Sequence, residues 1–230
     1  LQWYAALINR FAAVSPACTA SLASTLAINP GTIHTLPTGV WIPDQLSRGY
    51  QTSPLRIAYG GRIVQEQKRV FDFVPLVEAL YQRDVNFRFT IIGSGRERDS
   101  LAEALAAVDP DRRVEFAPRR KPGRMPSFWA AQDAFIQTSA FEGTSNSMLE
   151  SMAQGVVPVV TRTASGVDGI VLHGDNGYLV DVGDMKTMAD HIATLAQSQE
   201  DLVRMGHRAN ESMAPYSMTH YVERFTVLLD

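Results

Sequence analysis

Two acidic side chains, Glu142 and Glu150, stand in a pattern that could bind a sugar nucleotide. Seven residues separate them, GTSNSML, which are small and polar before they turn apolar. A helix that begins near Asn146 would direct its unpaired backbone N–H groups at a phosphate. Glu150 would then lie about one turn inside that helix, where its carboxylate could accept hydrogen bonds from ribose hydroxyls. Glu142, before the turn, could face the sugar.

The segment between the two acids must turn tightly before the helix begins. Gly143 is expected to allow this turn, because glycine tolerates a positive φ. Gly155 stands where such a helix would stop. The predicted ligand contacts of this segment come from Gly143, Thr144, Ser145, Asn146, Ser147 and Met148. A structural interpretation stays open, because Ser147 and Glu150 have the spacing of a capping box, in which Glu150 only closes the helix N-terminus.

Two cations follow an earlier predicted strand. Arg62 comes directly after Gly60 and Gly61, and Lys68 lies six positions further on. Cations at the mouth of a glycine turn can hold a diphosphate and stabilise it as a leaving group. The alternative is that both are surface charges, as most Arg and Lys side chains are.

A second glycine turn, Gly93-Ser94-Gly95, ends the next predicted strand. The segment GSGRER lacks the third glycine of a dinucleotide-binding fingerprint, so that interpretation is disfavoured. Direct contact with a nucleotide and a tight strand-to-helix turn both remain open for Gly93 and Gly95.

The composition of the chain limits its function class. The 230 residues are 45% apolar and 20% charged, with a net charge of −3, which gives no electrostatic argument for nucleic acid or an anionic membrane. The single cysteine, Cys18, excludes an internal disulfide and fits a reducing compartment. No apolar stretch reaches the length of a membrane span, and no signal peptide is visible.

The first third of the chain is less regular than the rest. We predict a helix over residues 1–11, a second helix from Pro16 to about Leu26, and a short strand over residues 32–35. The polar stretch at residues 46–54 is predicted to be a linker, which separates residues 1–45 from residues 55–230.

From Leu55 onward, apolar strand-like runs alternate with helix-like segments. The pattern predicts an α/β fold with a Rossmann-like parallel sheet that carries helices on both faces. In such sheets ligands bind at the carboxyl ends of the strands. Gly60-Gly61, Gly93-Ser94-Gly95 and the Glu142 loop all follow predicted strands, so we expect them to share one edge of the sheet.

Several of these segments, taken in order, resemble family 4 glycosyltransferases, which are retaining enzymes of the glycosyl transferases group 1 type with the GT-B fold. FEGTSNSMLESMAQGVVPVV is similar to the acidic signature of that family, with Ser151 in place of the usual alanine. Gly61-Arg62 and Lys68-Arg69 match the family's basic motif, with Arg69 where glycine is common. TIIGSGRER matches a third motif, and the resemblance extends from Leu55 to about Leu195.

The resemblance implies a role for each site residue. Arg62, Lys68 and the helix N-terminus would stabilise the departing diphosphate, Glu150 would hold the ribose, and Glu142 the transferred sugar. The loop at Pro118 and Arg119 would read the base through its backbone. The implied activity is transfer of a hexose from a nucleotide-diphosphate sugar, UDP- or GDP-linked, to a glycan or lipid-linked acceptor. No metal and no further cofactor is expected.

The resemblance also implies that part of the enzyme lies outside this sequence. The chain looks like the donor-binding C-terminal half with the end of the N-terminal half, so the fragment is expected to bind donor but turn over poorly. Polysaccharide biosynthesis in the bacterial cytoplasm is the expected setting, and the full-length protein could associate peripherally with the membrane. Two alternatives stay open: a GT-B-type nucleotide-sugar epimerase, whose site would carry extra acids and histidines, and a non-catalytic nucleotide-binding or interaction domain.

Overall fold

Strands and helices alternate along most of the chain in the computed structural model, which describes residues 7–26 and 28–229. The strands are β1 (Phe11–Ala13), β2 (Ile33–Thr35), β3 (Leu55–Arg62), β4 (Phe87–Ser94), β5 (Val114–Ala117), β6 (Ala134–Gln137), β7 (Val157–Thr161) and β8 (Tyr178–Val180). The helices are α1 (Pro16–Leu26), α2 (Gln65–Lys68), α3 (Phe73–Gln82), α4 (Arg98–Val108), α5 (Met125–Trp129), α6 (Asn146–Ala153), α7 (Met185–Gln197), α8 (Gln199–Glu211) and α9 (Met218–Leu229).

The main sheet has six parallel strands in the order β5-β4-β3-β6-β7-β8. The chain builds outward from β3 to β5 and then returns to place β6 on the other side of β3. The strand order therefore reverses between β3 and β6, which is where open α/β sheets form a crevice for ligands. The predicted α/β fold with a parallel sheet is confirmed.

Both faces of the main sheet are covered, as the mostly apolar strands predict. On β3, Ile57 and Tyr59 join a core with residues of α3, α4 and α7, whereas Ala58 joins a second core with residues of α5 and α6. The alternation follows from the two-residue period of a strand. No helix in the described ranges combines the length and the apolar character needed to cross a membrane.

A small parallel pair, β1 and β2, forms with α1 a separate layer before the main sheet begins. The helix predicted over residues 1–11 falls largely outside the described residues, and its described end is wrong. Residues 7–10 are not helical and Phe11 begins β1, because Phe11 pairs with Ile33 far along the chain. Helix α9 returns to this layer, where the Arg224 guanidinium donates to the Thr35 carbonyl at 2.8 Å.

The segment predicted as a polar linker, residues 46–54, packs closely against the main sheet. The Tyr50 hydroxyl donates to the Gly155 carbonyl at 3.1 Å, and Arg48 donates to the Gln154 carbonyl at 3.1 Å. Arg48 and Arg56 both pair with Asp133, whose side chain is fully buried at the start of β6. Charged side chains thus tie the segment to the base of the strands that carry the site at their other ends.

Candidate active site

A cavity of about 660 Å³ opens at the carboxyl ends of β3 and β4, beside the start of α6. Its lining combines two strand-end turns, a basic loop and the first residues of α6: Gly60, Gly61, Arg62, Ile92, Gly93, Ser94, Arg119, Arg120, Met125, Asn146 and Ser147. Three guanidinium groups and a helix N-terminus therefore meet in one concave surface. Such a surface favours an anion with several oxygens.

The floor of the cavity requires glycine at Gly93. Strands β3 and β4 pair in parallel with Gly61 opposite Gly93 and Arg62 opposite Ser94. A Cβ atom added at Gly93 would lie 1.8 Å from the Gly61 carbonyl oxygen, which no side chain can tolerate. The two turns can therefore approach closely only because a side chain is missing there, and this brings backbone to the cavity surface.

The start of α6 points unpaired N–H groups outward. Ser145 is the N-cap residue: its hydroxyl accepts from the Met148 N–H at 3.4 Å and its carbonyl accepts from the Leu149 N–H at 3.1 Å. The N–H groups of Asn146 and Ser147 lie in the first turn and have no acceptor within the helix. The helix start predicted near Asn146 is thus observed, whereas the Ser147–Glu150 capping box is wrong, since Ser145 occupies the cap.

Lys68 and Glu142 form an ion pair next to the cavity. The Lys68 ammonium donates to Glu142 Oε1, and the Ser139 hydroxyl donates to the same oxygen at 2.6 Å. The two side chains are 12% and 7% exposed. Arg62 lines the cavity directly, and the hydroxyl of buried Tyr59 donates to its backbone carbonyl at 2.6 Å. Burial, together with the Glu142 charge, raises the pKa of Tyr59, so this hydroxyl stays a donor.

Glu150 lies in an adjoining cavity of about 400 Å³ with Arg119, Arg120, Lys121, Pro122 and Met125. The indole N–H of Trp129 donates to Glu150 Oε2 at 3.2 Å. Burial raises the pKa of Glu150, and the Trp129 hydrogen bond opposes this shift. The two cavities share Arg119, Arg120 and Met125, so a ligand long enough to span both could reach from Arg62 to Glu150.

Several residues predicted as ligand contacts shape the site without lining the main cavity. A Cβ at Gly95 would lie 1.9 Å from the Ile63 carbonyl oxygen, so Gly95 serves close packing. Thr144 donates to the Val14 carbonyl at 2.6 Å, which docks the N-terminal layer onto this loop. The Met148 side chain is buried in the core, and Pro118 is not among the residues lining either cavity.

The positive φ expected at Gly143 is not observed. Gly143 is not among the glycines with a positive φ in the described part of the chain, whereas Gly155 is, with φ 72°. A Cβ at Gly143 would instead lie 3.0 Å from Val14 and 3.5 Å from the Cys18 sulfur. The small residue is therefore required by the packing of the N-terminal layer, and Gly155 ends α6 as predicted.

Some residues at the site were not singled out from the sequence. Arg120 and Met125 line both cavities, and Gln67 contacts Arg62 and Glu142. Arg120 follows Pro118 and Arg119 in the loop that the family resemblance assigns to the base, but it also lies in a basic run of the kind that is usually solvated surface. Gln67 lies in IVQEQ, which has no distinctive pattern, so its role is visible only once residues 74 and 75 positions apart are brought together.

His173 is a loop residue, as predicted. Its Nδ1 accepts from the Leu179 N–H at 3.1 Å, and its ring packs against Tyr178 and His191. The additional histidines that an epimerase site would carry are therefore not found among the residues lining the two cavities. In residues 7–26 and 28–229, no three His, Cys, Asp or Glu side chains cluster so as to hold a metal ion.

Known proteins with similar sequences are glycosyltransferases. The family described as Glycosyl transferases group 1 matches residues 47–212. The lipopolysaccharide core biosynthesis glycosyltransferase LpsE of Rhizobium meliloti is 32% identical over 153 residues, which make up 66% of this chain and 43% of the relative. The chain thus spans less than half the length of this curated relative.

Solved structures share the fold across the whole chain. A mutant of S. aureus TarM in complex with UDP, Fondaparinux and alpha-GlcNAc-glycerol superposes with a TM-score of 0.88 at 22% identity, over 100% of this chain and 45% of that one. HepE of Anabaena in complex with UDP and glucose gives a TM-score of 0.81 at 17% identity, over 100% of this chain and 67% of that one. At these identities the likeness establishes the fold.

Proposed function

This chain belongs to the Glycosyl transferases group 1 family, and we propose that it is the donor-binding part of a retaining glycosyltransferase that uses a nucleotide-diphosphate sugar. The observation that carries the proposal is the main cavity, where Arg62 and the Asn146 and Ser147 N–H groups converge at the crevice of the sheet. That combination matches the charge and geometry of a diphosphate.

Each group at the site would do one part of the work. Arg62, Lys68 and the α6 N-terminus would stabilise the negative charge that develops on the departing diphosphate, which is the largest electrostatic demand in such a transfer. An ammonium group has three N–H donors, so Lys68 can hold Glu142 and still donate to a phosphate oxygen. Glu142, fixed by Lys68 and Ser139, would contact the transferred sugar.

The nucleoside would lie in the second cavity. Glu150 would accept hydrogen bonds from the ribose hydroxyls, and the loop at Pro118 and Arg119 would contact the base through its backbone. UDP is the first nucleotide to test, because TarM and HepE were each solved with UDP, and GDP is the second. Since Arg62 and Lys68 supply the positive charge, the proposed mechanism uses no metal and no further cofactor.

The acceptor would be bound elsewhere in a longer protein. Because the chain spans 43% of LpsE and 45% of TarM, we expect a further domain to complete the cleft and exclude water. The chain alone should therefore bind donor but transfer sugar slowly. The relatives suggest a hexose as the transferred group and a cell-surface polysaccharide as the product, made in the cytoplasm, where the full-length enzyme could associate peripherally with the membrane.

Titration calorimetry with UDP, GDP and ADP tests this proposal. One nucleotide should bind saturably, and Lys68→Ala and Glu150→Ala should each weaken it by roughly tenfold, the equivalent of one lost charge-assisted hydrogen bond. Lys186→Ala and Glu103→Ala are matched controls, because both side chains are exposed and line neither cavity. Failure of all three nucleotides to bind the unaltered chain would contradict the proposal.

A further inference from the structure

Gln67 lies between the Arg62 guanidinium and the Glu142 carboxylate of the proposed site. It is the third residue of α2, the short helix that follows Arg62, and α2 rests against residues 138–142 of the Glu142 loop. The Gln67 carbonyl accepts from the Ala140 N–H at 2.8 Å, and the Lys68 carbonyl accepts from the Thr138 hydroxyl at 2.8 Å. The backbone contacts therefore fix where the Gln67 side chain begins.

The two ends of the Gln67 amide have different partners. Its oxygen, Oε1, accepts a hydrogen bond from the Arg62 guanidinium. Its nitrogen, Nε2, donates to the Phe141 carbonyl at 3.2 Å and lies 3.4 Å from Glu142 Oε2. Guanidinium groups only donate, and carbonyl and carboxylate oxygens only accept, so the partners determine the orientation of the amide. A side chain with one acceptor and one donor end is what this position requires.

The Gln67 side chain links two parts of the site that lie far apart in the sequence. Arg62 lines the cavity at the end of β3, whereas Phe141 and Glu142 lie 74 and 75 positions beyond Gln67 in the chain. A free arginine side chain has many rotamers, and ordering it when a ligand binds costs free energy. A guanidinium already held by Gln67 has lost part of that freedom before the ligand arrives.

We infer that Gln67 is a positioning residue, which holds the Arg62 guanidinium in place for the diphosphate and keeps it in register with the Glu142 carboxylate. The inference rests on the proposed function and extends it, because it adds a residue that acts on the ligand through Arg62. Replacing Gln67 should therefore weaken the binding only of ligands that carry a second phosphate, and only while Arg62 is present.

The test compares nucleoside diphosphates with monophosphates on the whole chain. Gln67→Met has a similar length but neither hydrogen-bonding end, and we expect it to weaken binding of UDP, or of GDP if that is the base, by roughly tenfold. Affinity for UMP or GMP should be unchanged, and this also shows that the variant is folded. Gln82→Met is the matched control, because Gln82 is an exposed glutamine on α3 that lines neither cavity of the site.

A second comparison separates positioning from direct contact. In an Arg62→Ala background, Gln67→Met should cause no further loss of diphosphate affinity, because the group that it positions is gone. An additive loss would overturn the inference, as would an equal loss for diphosphate and monophosphate or no loss at all. If the unaltered chain bound neither nucleotide, the proposed function would fail and the inference with it. If the unaltered chain bound diphosphate and Gln67→Met did so equally well, the inference alone would fail.

Discussion

Replacing Asp133 with asparagine should destabilise the protein strongly, although Asp133 lies far from the cavity in the sheet. Its side chain is fully buried, and five N–H groups reach its two oxygens. Three of them come from the guanidinium groups of Arg48 and Arg56, at 2.6 to 3.1 Å. The others are the backbone N–H groups of Gln51 and Arg56, each at 3.1 Å.

The Asp133→Asn change keeps the shape of the side chain but removes its charge and one of its two acceptor oxygens. The new NH₂ group would face N–H donors, and the Arg48 guanidinium, 2% exposed, would lose its counter-charge. Burial lowers the pKa of Arg48, and the Asp133 charge opposes this shift. Breaking a buried pair from one side costs about 3 to 5 kcal/mol. For a chain of this size that corresponds to roughly 6 to 20 °C in Tm.

Urea unfolding followed by far-UV circular dichroism measures the effect. Asp111→Asn is the control, because Asp111 pairs with Arg113 at 2.7 Å while its side chain is 55% exposed. Exposed pairs of this kind contribute under about 1 kcal/mol. If Asp133→Asn lowered the free energy of unfolding no more than Asp111→Asn, the view that Asp133 holds residues 46–54 to the sheet would be refuted.

Two further predictions concern the site. Gly93→Ala should destabilise the fold by about 3 kcal/mol or more, because its Cβ would lie 1.8 Å from the Gly61 carbonyl oxygen. Gly123→Ala, where a Cβ meets nothing within 4 Å, should leave the Tm nearly unchanged, and an equal loss in both would refute the packing argument. Burial raises the pKa of Glu150 in the folded protein, so protonated Glu150 favours the folded state at low pH. This contribution to the free energy of unfolding is lost as the pH rises through the raised pKa. Glu150→Gln should therefore raise the Tm at about pH 7 and not at about pH 4, and an equal change at both pH values would contradict the assignment.

Much of the main sheet could be predicted from local sequence. The alternation of strands and helices from Leu55 onward and the helix start near Asn146 are both observed, because apolar runs and glycine turns act over a few positions. The shared edge of the turns also followed, since parallel strands place their carboxyl ends together. Where a long-range contact decides the local structure, prediction failed: Phe11 is in a strand because Ile33 pairs with it.

The site was predicted less completely than the fold, for the same reason. Arg62 and the α6 N-terminus lie where the motifs indicate, but the pairing of Lys68 with Glu142 joins residues 74 positions apart. Polar composition predicted a linker at residues 46–54, and it gave no sign that Arg48 would find a buried partner in Asp133. The composition of a segment indicates whether it can be exposed to water. Its packing depends on which residues the rest of the chain places next to it.

Amide NMR during titration with UDP, or with GDP if that is the nucleotide that binds, tests the central claim most directly. If the diphosphate binds in the main cavity, the largest shift changes should fall on the amides of Gly61, Asn146 and Ser147. A different cavity of about 580 Å³ lies between β2 and α9 and is lined by residues that include His34 and Arg224. The amide chemical shifts of those residues should stay unchanged. Changes confined to the cavity between β2 and α9 would contradict the account.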